Sequence, residues 1–85
     1  MILKIVEYRE HDVETRWIEA QKINYITHNK PHYHKDDAEK KNPFWELGIV
    51  DKAAFYHNIQ IFDKSDLFIM ENGKTIDTIE FNSKH

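Results

Sequence analysis

Eighty-five residues, 40% of them hydrophobic and eleven of them aromatic, make one domain too apolar for an intrinsically disordered chain. There is no cysteine, which excludes disulfides, thiolate metal sites and cysteine nucleophiles. Neither half of the chain is basic enough to hold a polyphosphate by its field alone, and a formal net charge of −3 is too little to imitate one.

The first seven residues, Met-Ile-Leu-Lys-Ile-Val-Glu, meet charge too early for a signal peptide. No apolar run approaches the roughly 20 residues of a membrane helix. The expected setting is therefore cytoplasmic, without membrane contact, and a cysteine-free chain suits that reducing compartment. Two glycines and two prolines imply regular elements joined by short turns.

Residues 2–9 (ILKIVEYR) are rich in β-branched and aromatic types and read as a strand. Apolar residues fall on both parities, as in a strand covered on both faces at one end. His11-Asp12 turns the chain into a second strand over 14–27. A helix capped by Asp12, with Val13, Trp17, Ala20 and Asn24 on one stripe, competes with that reading. Thr15, Trp17, Ile18, Ile23, Tyr25, Ile26 and Thr27 favour the strand. Residues 28–41 hold no aliphatic core side chain larger than alanine and read as a long solvated loop.

Residues 42–58 (NPFWELGIVDKAAFYHN) read as a helix. Asn42 is the N-cap and Pro43 stands at the first helical position. Phe44, Leu47, Val50 and Ala54 line one face; Trp45, Ile49, Ala53 and Tyr56 line another. A helix apolar nearly all round is buried on two sides. A short strand at 59–62, a turn at 63–66 and a hairpin over 67–81 complete the chain. Asn72-Gly73 is the strongest local signal, because both residues tolerate the positive φ of a two-residue type I′ turn. Centred there, the turn pairs Glu71 with Lys74, Met70 with Thr75, Ile69 with Ile76 and Phe68 with Asp77. Leu67, Ile69 and Ile76 share one face; Phe68, Met70 and Ile79 share the other. The expected fold is α+β, with about five antiparallel strands and one helix in the order β-β-α-β-β-β.

Four chemistries compete for the polar and aromatic residues. His28, His32 and His34, followed by Asp36 and Asp37, could supply zinc ligands. An exposed loop of partly protonating imidazoles explains them more simply, and no metal or cofactor is implied. Arg9, Arg16, Lys22, Lys30, His32, Tyr33, His34 and Lys35, with Trp17 and Tyr25 as stacking surfaces, could bind single-stranded RNA or a protein–RNA complex. Against this, nearly every cation has an acidic neighbour, and no RNA-recognition signature is present. His11 and His57 could serve a nuclease, and zinc-dependent hydrolysis is a further alternative, but no catalytic motif joins these residues, and a non-enzyme is expected. Trp45, Ile49, Tyr56, Phe68 and Met70 are anchor types for a protein interface, or else simply complete the core.

In its short, cysteine-free, Lys/Asn/Ile-rich make-up the whole chain resembles the small accessory proteins of AT-rich lytic bacteriophages. That resemblance implies a stoichiometric inhibitor or modifier of a host factor, such as a defence toxin, nuclease or polymerase, and implies no particular site residue. The expected partner is a host protein, with RNA as the alternative and a homodimer as a further state.

Overall fold

The computed structural model describes residues 1–29 and 44–82. Within them the chain is all β, with seven strands: β1 (Ile2–Tyr8), β2 (Val13–Glu19), β3 (Lys22–Asn29), β4 (Phe44–Val50), β5 (Tyr56–Phe62), β6 (Ser65–Glu71) and β7 (Lys74–Phe81). They form two antiparallel sheets, one in the order β2-β1-β6-β7 and the other β3-β4-β5. Leu3, Ile5, Leu67 and Phe81 from the first sheet meet Leu47, Ile49 and Ile61 from the second in a buried core. Each such side chain contributes roughly 1.5–3 kcal/mol by leaving water. The result is a small sandwich, each sheet covering one face of the other.

The α+β expectation is overturned in residues 42–58. Residues 44–50 are the central strand of the smaller sheet, and the next strand begins at Tyr56. The apolar residues from Phe44 to Val50 alternate along β4 in place of encircling a helix. Leu47 and Ile49 belong to the core cluster, half-buried Trp45 packs against it, and the even-numbered residues fall on the opposite face. A central strand with one face in the core and Gly48 and Val50 buried on the other is nearly as continuously apolar as a buried helix, so helical periodicity misassigns it. Gly48 is the residue that decides. A Cβ there would enter the ring of Tyr25, which lies across it from β3.

Asp51 breaks the chain between β4 and β5. Its Oδ1 accepts the amides of Ala53 at 2.8 Å and Phe55 at 3.0 Å, while Ala54 takes a left-handed φ of 67°. The cap expected from Asn42-Pro43 lies outside the described residues, as does all of the 28–41 loop beyond Asn29.

Residues 14–27 are extended, but they form two strands. Between them the chain leaves one sheet for the other at Ala20-Gln21. The Ala20 amide donates to the Met1 carbonyl at 3.0 Å, and the Gln21 amide donates to the Val50 carbonyl at 2.7 Å. Buried Ala20 is the corner of the sandwich.

The Asn72-Gly73 turn forms as its residues dictate, with φ of 53° and 76°. Glu71 pairs with Lys74 and Met70 with Thr75. A bulge then displaces Ile76, so Ile69 faces Asp77 and Phe68 faces Thr78. Ile76 is therefore 61% exposed instead of sharing the core face, and Ile79 moves to that face opposite Leu67.

Candidate protein-binding face

Pairing β1 with β2 on one side and β6 on the other assembles a surface from both ends of the chain. The outward side of the four-stranded sheet is read row by row. The first row is Glu19, Ile2, Met70 and Thr75; the second is Trp17, Lys4, Phe68 and Thr78. The third is Thr15, Val6, Asp66 and Glu80, and Val13 with Tyr8 closes the end. Trp17 is 59% exposed and Val13 57%, while Ile2 and Tyr8 are also exposed. Phe68 and Met70 are half-buried beside them. The sheet thus shows water a contiguous apolar and aromatic surface, whereas scattered single hydrophobes would need no explanation.

One cation sits in the middle of it. The Lys4 Nζ lies 5.2 Å from the Trp17 ring centroid and 5.5 Å from that of Phe68. Both rings attract the ammonium through their negative faces. Lys4 is half-buried, and among the described residues no carboxylate stands within ion-pair distance of its Nζ.

The acids lie one row away. Glu19 is 3.3 Å from Lys52. Asp66 faces the Tyr8 hydroxyl as a hydrogen-bond acceptor, and that interaction foremost, then partial desolvation and the carboxylate's charge, raises the Tyr8 pKa. Glu80 stands directly opposite Asp66, a like-charge pair that costs stability. At the Ile2 end a cleft of about 260 Å³ opens between Trp17, Met70 and the Asn72-Gly73 turn.

The interface residues expected from sequence divide. Phe68 and Met70 belong to this face. Ile49 does not: it is 1% exposed and lies in the core. Trp45 also points inward, half-buried, stacked on His28 at 4.3 Å and tilted against Phe81 at 5.4 Å. Tyr56 is 76% exposed but stands on β5 of the other sheet, beyond exposed Phe55. The burial of Trp45 and Ile49 follows from β4 being a central strand.

Among the described residues, the expected nucleic-acid cations Arg9, Arg16 and Lys22 are not gathered either. Arg9 is held by Glu14, Glu7 and Asp12 around the β1–β2 turn, and the Glu14 charge foremost raises its pKa. Arg16 reaches across the open side of the sandwich to the Gln60 carbonyl at 3.1 Å. Lys22 is on β3 of the smaller sheet. Lys30, His32, Tyr33, His34 and Lys35 lie outside the described residues.

His57 shares a 2.6 Å hydrogen bond with Asp51, its ring N–H donating to Oδ2, and so belongs to the β4–β5 connection. His11 contacts Glu10 at 3.9 Å in full exposure. Among the described residues no three His, Asp or Glu side chains converge as a metal site, and no helix is long and apolar enough to cross a membrane.

Sequence reasoning missed Lys4, Ile2, Tyr8 and Val13 as surface residues. The even parity of residues 2–8 carried part of that signal, but nothing local announces that β1 lies beside β6. Compared with known proteins, the chain matches no family model, no curated protein and no solved structure.

Proposed function

We propose that the protein is a non-enzymatic binding protein that inhibits or retunes a macromolecular partner by protein–protein contact. The contact surface is the outward side of the four-stranded sheet. The observation that carries this reading is the exposed Trp17 packed over Lys4 beside Phe68, within an apolar surface that includes Ile2, Tyr8, Val13 and Met70. Aromatic anchors at the centre of a patch, with polar groups at its border, are what dominates the energy of protein interfaces.

Acids at the border count against RNA. Glu19, Asp66 and Glu80 outnumber Lys4 and the Lys52 paired with Glu19, and phosphates would meet repulsion beside Asp66 and Glu80. A host factor, the partner implied by the chain's likeness to phage accessory proteins, is the expected class of target.

Capture of a partner from the native cell, with and without RNase, tests the reading. Trp17→Ala is expected to reduce capture at least tenfold, about 1.4 kcal/mol, while leaving the β-sheet circular dichroism unchanged. Capture that persists in a folded Trp17→Ala protein, or that disappears with RNase, would defeat it.

A further inference from the structure

We infer that the partner brings one carboxylate, set among apolar side chains and bordered by basic residues, and seats that carboxylate against Lys4. The inference rests on the outward sheet face being the contact surface, and it adds what that surface recognises.

Lys4 is the reason. It occupies the central row of the face, between Trp17 on β2 and Phe68 on β6. The two rings shield its flanks but supply no counter-charge. An occupant that covers Trp17 and Phe68 must also cover the ammonium, removing the water that now solvates it. Burying a cation unpaired is strongly unfavourable, so an apolar occupant alone would forfeit much of what the aromatic contact gains. An Asp or Glu side chain restores the balance, and it does so in a setting where water is excluded and the pair is strong.

The border sets the rest of the partner's chemistry. Asp66 and Glu80 face each other across β6 and β7, and Glu19 closes the opposite corner. Basic side chains around the partner's carboxylate would relieve the Asp66–Glu80 repulsion. The cleft of about 260 Å³ between Ile2, Trp17, Met70 and Asn72, which Glu19, Lys52 and Glu71 also line, has room for a partner side chain beside that contact. A second copy of this chain would fit poorly, because stacking the two faces centre to centre would set Lys4 against Lys4. A nucleic acid would bring its anions to the acidic border as well as to the centre.

The test uses the full chain, immobilised, and a random displayed peptide library. Enriched peptides are expected to share one Asp or Glu flanked by Trp, Phe, Leu or Ile, with Lys or Arg further out. A synthetic copy of such a peptide should lose at least tenfold in affinity when its carboxylate becomes an amide, about 1.4 kcal/mol or more. Lys4→Met should cause a similar loss while keeping the aliphatic stem between the rings. Lys4→Glu should recover binding to a peptide whose acid is replaced by lysine.

Peptides that depend on Trp17 yet ignore Lys4→Met, or that carry no acid, would overturn this inference and leave the contact face standing. Peptides indifferent to both Trp17→Ala and Lys4→Met, or an empty selection, would overturn both. So would Lys4-dependent retention of polyuridylate, or Lys4-dependent self-association in sedimentation equilibrium, since each names a different occupant.

Discussion

Gly48 and Tyr25 show how one residue can be settled by its neighbour. The glycine sits in the middle of a central strand, where a missing side chain ordinarily weakens the sheet. Here the space above it is filled by the Tyr25 ring from β3, which covers the backbone. Aromatic cover of a strand glycine is a recognised way of holding register. Gly48→Ala should therefore cost about 1–3 kcal/mol through overpacking. In a domain of this size that lowers the melting temperature by roughly 4–8 °C per kcal/mol. In a Tyr25→Ala background the same change should be neutral or stabilising, because alanine then gains strand preference without a clash. A double-mutant cycle by thermal melting measures the coupling. Additive losses would mean that the ring does not rest on the glycine.

At the scale of elements, the β4–β5 connection depends on the ionisation of Asp51. The His57 hydrogen bond, then the Phe55 amide and, more weakly, the Ala53 amide hold its carboxyl below the ordinary 3.8, partial desolvation opposing them. A depressed carboxylate contributes stability above its unfolded value, and that contribution is lost as pH falls through the lower folded value. Amide-exchange protection at Ala53 and Phe55 should collapse as pH falls below about 4. In Asp51→Asn protection should be lower throughout, with no acid step. A step retained in that variant would assign the transition to another group. The same connection marks where sequence reading failed. Asp51 follows seven residues whose apolarity suits a buried helix and a two-sided strand equally, and a lone Asp reads as polar helix surface until its two backbone acceptor contacts are seen. The Asn72-Gly73 turn was legible because its chemistry is local: positive φ is available to these residues and to few others. Its bulge was not, since Ile76 leaves the core face only because Ile69 and Met70 are fixed by β1. Strand character over residues 14–27 was legible from β-branched and aromatic content. The sheet change at Ala20 was not, because it depends on Met1 and Val50.

For the molecule as a whole, the distribution of the two tryptophans separates a packing role from the proposed contact role. Trp45 is an internal residue of the smaller sheet, and it ties the two sheets together through Phe81. Trp17 is on the edge strand of the larger sheet, with most of its surface in water. Their chemistry is identical, and no local pattern in the sequence distinguishes them. What separates them is strand order. The site residues Lys4 and Phe68 stand near opposite ends of the chain and meet because β1 and β6 pair, a contact no local signal could announce. Truncating each tryptophan should therefore give opposite results. Trp45→Ala removes packing between the sheets and should cost about 3 kcal/mol, the low end for a large aromatic because the ring is half-buried. Trp17→Ala gives up a cation–π contact and little burial, so a change of about 1 kcal/mol or less is expected. Chemical denaturation of both variants, read by far-ultraviolet circular dichroism, makes the comparison. Equal losses would mean that Trp17 is a structural residue, and the outward face would then lose its claim as a contact surface. Unequal losses in the stated direction leave Trp17 as a large aromatic kept in water at the edge of the fold, where stability does not require it and a binding surface does.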